Sequence, residues 1–181
     1  MLFVGLLGGC YSTPPDPPAI AADPTVTVSI LEPVYTAGKA IDASREVGVT
    51  YPDFHRFLLQ FAQAISIAAD RAEMNATDRR VLAQYKEAAA DFTFIDSLWA
   101  MKVRSVQPAW RGQIPVAFDG VYARETPEDM LRKHGLVAQE FRLQYTGRRF
   151  LAVPPDSVER AWLKAGSDMK IAHDMYLGRA K

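Results

Sequence analysis

Apolar positions along this chain recur mostly at steps of three and four, the spacing that gathers side chains on one stripe of an α-helix. Phe54, Leu58, Phe61, Ile65 and Ala68 form one such row; Val81, Tyr85, Ala88, Phe92, Ile95 and Trp99 form a second; Val158, Trp162, Ala165, Met169, Ala172 and Tyr176 form a third. Pro33 to Val47 predicts another helix. There Pro33 suits a first turn, Val34 and Ile41 point inward, and Gly48 can take the left-handed position past the end.

Helix starts are marked by a capping residue with an acid three positions on: Thr50 with Asp53, Asn75 with Asp78, Thr126 with Asp129, and Asp156 with Glu159. That spacing satisfies an orphan backbone N–H and puts negative charge at the positive end of the helix dipole. The helix over residues 76–104 is then about 43 Å long at 1.5 Å per residue, a spine for shorter antiparallel neighbours.

Elsewhere the helical spacing fails. "TVTVS" at 25–29 alternates like a short strand, and residues 105–125 read as loop with at most a turn of helix. "TPEDMLRKHG" predicts a short capped helix ending at Gly135, and "EFRLQYTGRRFLAV" a β-hairpin turning at Thr146 and Gly147. The fold class expected is mainly α: an antiparallel bundle of about four helices, with a short extra helix and a small β-hairpin lying against it.

Charge sharpens this picture. The 181 residues are formally neutral, which removes the electrostatic footprint that nucleic-acid binding requires. The halves differ: residues 1–100 hold 7 Lys+Arg against 12 Asp+Glu, and residues 101–181 hold 14 against 9. The two sets are expected to pair within one fold, the sharper alternative being a basic face for an acidic partner or lipid headgroups.

The amino terminus carries an address. Residues 1–9, "MLFVGLLGG", are too short to span a membrane but fit the apolar stretch of a secretory signal. Leu7, Gly8, Gly9 and the sole cysteine, Cys10, resemble the lipobox of bacterial lipoproteins. That resemblance implies a diacylglycerol on the Cys10 thiol, removal of the preceding peptide and acylation of the new amino terminus. No Lys or Arg precedes the apolar run, so the signal at 1–9 is expected to be incomplete. Tyr11 after the cysteine, by the same resemblance, favours an outer membrane facing the periplasm in a Gram-negative cell. Residues 10–24 then read as the lipidated cysteine and a tether, since five of the 12 prolines fall in 11–24 and favour extended geometry of up to roughly 40 Å. Residues 25–181 form the bundle domain.

Candidate chemistry is sparse. His55, His134 and His173 lack a second His or Cys at metal-ligand spacing, so no metal or other cofactor is expected. His134 suits the end of its helix dipole, His173 flanks a buried stripe, and His55 beside Asp53 reads as solvated. No nucleophile motif or phosphate-binding glycine pattern stands in the chain, and Asp91 with Asp96, or Asp168 with Asp174, fall on different helix faces. No catalytic residue is assigned. The most suggestive cluster is aromatic and basic: Trp99, Lys102, Arg104, Trp110 and Arg111, with Arg148 and Arg149 near the hairpin turn. They form a candidate partner surface. Their plainer reading is that Trp99 ends the core stripe, Trp110 plugs the bundle and the cations are solvated. Segments Ser97 to Lys102 and Gly112 to Val116 also resemble stretches of uncharacterised helical bacterial lipoproteins, which carry over no activity.

The function expected is that of a membrane-anchored, non-enzymatic accessory or assembly protein with an envelope protein as partner. The alternative is a small-molecule or lipid-binding lipoprotein whose helices enclose a pocket lined by Met101, Met130, Met169 and Met175.

Overall fold

The computed structural model describes residues 25–104, 114–116, 127–142 and 149–179. Its helices are α1 (Val28–Val47), α2 (Tyr51–Ala69), α3 (Ala76–Arg104), α4 (Pro127–Lys133) and α5 (Ser157–Tyr176), and its strands β1 (Ile114–Val116), β2 (Gln139–Arg142) and β3 (Arg149–Val153). The fold is mainly α, with one small antiparallel sheet. Among the described residues no helix is long and apolar enough to cross a membrane.

The apolar rows become the core. All five predicted α2 residues, and five of six in both α3 and α5, are buried; Trp99 and Tyr176, the last of each row, are half-buried. Full burial of a side chain such as Phe54 or Phe61 contributes roughly 1.5–3 kcal/mol, so these stripes fix which faces meet. Short turns at 48–50 and 70–75 make α1, α2 and α3 run alternately up and down, and α5 returns antiparallel along α3.

Local chemistry explains the boundaries, including those that differ from expectation. Thr50 Oγ1 accepts the Asp53 N–H, and Asn75 and Asp78 cap reciprocally: the Asp78 N–H donates to Asn75 Oδ1 at 2.9 Å, and the Asn75 N–H donates to Asp78 Oδ2 at 3.0 Å. Asp156 does not cap. Its carboxylate is taken by Arg160, and the Ser157 N–H donates instead to the Pro154 carbonyl. Thr126 lies outside the described residues.

The strand expected at 25–29 is absent, because α1 begins at Val28, five residues before Pro33. The cap of α3 holds the chain there. The Thr27 N–H donates to buried Asp78 Oδ1 at 2.7 Å, and Asn75 Nδ2 donates to the Thr25 carbonyl. Pro33 is carried inside the helix, its missing N–H leaving one carbonyl of the first turns without its helical partner.

The hairpin is extended to three strands in the order β1-β3-β2, all antiparallel. The addition, β1, lies in the stretch expected to be loop. Three residues with a central proline give no period-2 signal, yet Pro115 needs no N–H partner at a sheet edge while Ile114 and Val116 bury on either side of it. The expected turn residues Thr146 and Gly147 lie outside the described residues.

Candidate functional site

Three polar or aromatic constellations occur where helices meet. The first is buried at mid-bundle. Asp91 of α3 is 1% exposed at its side chain; its Oδ2 accepts from Lys164 Nζ of α5 at 3.0 Å, and its Oδ1 lies 3.3 Å from Lys133 Nζ. Lys164 also donates to Asp168 at 2.6 Å, and Lys133 to Glu87 at 3.4 Å. Acids of the chain's first half are thus held by bases of its second.

His134, expected to suit the dipole at the end of its helix, lies just past that end with its side chain buried. Its ring stacks on Phe94 at 4.3 Å, and Nε2 sits 3.2 Å from Asp91 Oδ1 but off the hydrogen-bond direction. Helix α4 ends at Lys133, and Gly135 at φ 62° turns the chain so that the ring points inward. Burial alone would raise the Asp91 carboxyl; His134, Asp168 and the Lys164 ammonium outweigh it and hold that carboxyl below the usual range. Asp168 is pushed up, by burial and by its hydrogen bond to Asp91. Asp91 and Asp96 do fall on separate faces, but Asp91 finds its acidic neighbour on α5.

The second constellation ties three helices. Tyr85 Oη of α3 is 2.9 Å from His173 Nδ1 of α5, and His173 Nε2 is 3.1 Å from Asp42 Oδ2 of α1. A carboxylate only accepts, so Nε2 carries a proton, and in the neutral tautomer this leaves Nδ1 to accept from the Tyr85 hydroxyl. Burial pushes the Tyr85 hydroxyl well above its usual range and keeps it a donor. His173 is therefore a buried fastener rather than an edge residue. Gly38 makes this possible, since a Cβ there would stand 3.0 Å from His173 Cε1 and Met169 Sδ. His55, expected to be solvated, is half-exposed and 2.9 Å from Asp96 Oδ1.

The third constellation is open to solvent. At the end of the bundle where α1, α3 and α5 meet, a groove of about 550 Å³ has Trp99 and Trp162 on its floor. Their indoles meet edge to face at 5.7 Å and 68°, backed by Phe54 and Tyr51. Val49, Val158 and Leu163 add apolar surface, Leu163 being 67% exposed. Gly48, which lines the groove only with backbone, turns the chain out of α1 at φ 78°.

Among the described residues, two cations reach the groove. Lys102 Nζ donates to the Pro155 carbonyl at 3.0 Å and to Glu159 Oε1 at 3.3 Å. Arg45 forms no ion pair among the described residues, and its guanidinium lies across α5 where Gly166 leaves room; a methyl group at Gly166 would collide with Nη1.

The predicted partner surface is therefore only partly assembled. Trp99 and Lys102 share the groove, and Arg104 is exposed in the last turn of α3 near Tyr51. Arg149 opens β3 opposite Arg142, about 13 Å along the strand from Val153. Trp110, Arg111 and Arg148 lie outside the described residues, as does Cys10. Sequence reasoning missed Arg45, and assigned Trp162 to the core alone. The available signal was the pair of glycines inside helical patterns, Gly38 and Gly166, which mark close approach of another group. Among the described residues no methionine lines the groove; Met169 is fully buried beside Gly38.

A second open groove of about 680 Å³ lies at the opposite end, between the start of α1 and the end of α2, with Ile67 and Arg71 beside Thr27 and Pro33. Among the described residues no group of three or more His, Cys, Asp or Glu side chains converges on a metal-sized site. Comparison of the chain with protein-family models, with curated proteins and with solved structures finds no match to any of them.

Proposed function

We propose that this protein is a lipid-anchored, non-enzymatic accessory of the bacterial envelope that docks onto a protein partner through the Trp99–Trp162 groove. The observation that carries the reading is the groove's composition and place. It combines exposed apolar surface with a cation that forms no ion pair among the described residues, the mixture typical of recognition surfaces. It also lies at the carboxyl end of α1, about 30 Å from Val28, where the chain enters the bundle. A lipid on Cys10 and the proline-rich tether would enter at that other end and present the groove away from the bilayer, towards partners.

The competing reading, a small-molecule or lipid binder, draws on the groove's volume, which falls within the range of ligand pockets. Photo-crosslinking in intact cells separates the two. The crosslinking residue p-benzoylphenylalanine replaces Leu163, with exposed Val137 as the control position. A specific protein adduct at 163 and none at 137 is the expected result; lipid or no adducts at 163 would reject docking. Metabolic labelling with an alkyne fatty acid, abolished by Cys10→Ser, tests the anchor.

A further inference from the structure

We infer that the groove takes a protein segment in which a bulky apolar side chain stands within a residue or two of a carboxylate, the apolar group on the indoles and the carboxylate on Arg45. The inference deepens the docking reading and rests on it.

Of the two cations at the groove, Lys102 is already satisfied by Pro155 and Glu159. Arg45 forms no ion pair among the described residues, and the absent side chain at Gly166 leaves room for its guanidinium to lie across the helix. A guanidinium presents a rigid fork of donors that matches a carboxylate in a bidentate pair, which a flexible ammonium does not. Apolar material belongs a few ångströms away, over Trp162 and Leu163, where the floor already buries most of one indole and leaves an aliphatic side chain in water. The two features are neighbours along α5, since Leu163 and Gly166 are three residues apart and so share a face.

The rim favours a peptide over a lipid. Gly48 offers backbone groups that suit the main chain of an extended segment and are of no use to an acyl chain. A groove open to water along its length also leaves an acyl tail largely unburied.

The test is calorimetric titration of the full chain with three probes: acetyl-Gly-Asp-Phe-Gly-amide, acetyl-Gly-Lys-Phe-Gly-amide and sodium decanoate. The expected result is that the Asp-Phe probe binds about fivefold more tightly than the Lys-Phe probe, the scale of an exposed ion pair. Arg45→Gln removes that preference, while Leu163→Ser weakens both peptides and keeps it. Equal affinity for the two peptides, a preference that survives Arg45→Gln, or binding of decanoate alone would overturn the inference. A protein adduct at position 163 without any Asp-Phe preference would sink the carboxylate chemistry and leave docking standing; a preference without a protein adduct would do the reverse.

Discussion

The mid-bundle cluster around Asp91 and the groove around Trp162 use the same ingredients, aromatic rings beside basic side chains, to opposite ends. At Asp91 the bases are spent. Lys164 and Lys133 both face one buried carboxylate, and the His134 ring is clamped between it and Phe94. No cavity opens onto Asp91 from either groove. At Trp162 the rings are backed by core but reach the surface, and Arg45 forms no ion pair among the described residues. The difference is access. A closed, internally neutralised cluster holds the fold together, whereas an open one with a charge left over can exchange water for a partner.

The largest expected effect comes from breaking the closed cluster. Asp91→Asn removes the charge that both lysines and His134 face, and is expected to lower unfolding free energy by about 2–4 kcal/mol; the lysines, a third exposed, recover some solvation and keep the loss below that of a wholly buried pair. Chemical denaturation checks this. The pH dependence has a definite sign. The Asp91 carboxyl is held low in the folded state, so its contribution is complete above the unfolded value near 4 and fades as pH falls through the lower folded value. The gap between wild type and Asp91→Asn should therefore close in acid. Asp168, pushed up, acts oppositely: its contribution favours the folded state as pH falls from its raised value towards 4. A gap that widens in acid would refute this assignment.

Tyr85→Phe comes next. It deletes the hydroxyl that donates to His173 Nδ1 and leaves a buried acceptor unpaired, costing about 1–2 kcal/mol. Because the same imidazole holds Asp42, the loss should loosen α1. Hydrogen exchange would then quicken in α1 before it quickens in α2; uniform quickening would mean that the triad is not what fastens α1.

How much of this was readable in the sequence depends on how local the cause is. The rows of α2, α3 and α5 were fully legible, because period and burial are properties of one helix. So were the caps at Thr50 and Asn75. Failures came where a distant group decided. Asp78 of α3 reaches back to Thr27 and lets α1 start early. His134 and Asp91 are 43 positions apart, and no spacing rule joins them. Arg45 was invisible as a site residue for the same reason, since its position is set by what Gly166 lacks.

The smallest effects give the finest test of the comparison, because the two helix-interior glycines should answer alanine differently. Replacing glycine by alanine inside a helix contributes up to about 1 kcal/mol when there is room for the methyl group. At Gly166 the obstacle is the far end of the Arg45 side chain, which can swing into water. Gly166→Ala should thus stabilise the protein by about 0.5–1 kcal/mol, while displacing the guanidinium and erasing the Asp-Phe preference. At Gly38 the methyl group meets His173 and Met169, both buried and unable to leave, so crowding offsets the helical gain and Gly38→Ala should be neutral to destabilising by about 1 kcal/mol. Thermal melts and the probe titration, run on both variants, read the two outcomes together. A gain in stability at 166 with the preference intact would mean that Arg45 does not depend on Gly166 for its position. A gain at 38 would mean that α1 packs on α5 less tightly than the 3.0 Å approaches to His173 and Met169 require.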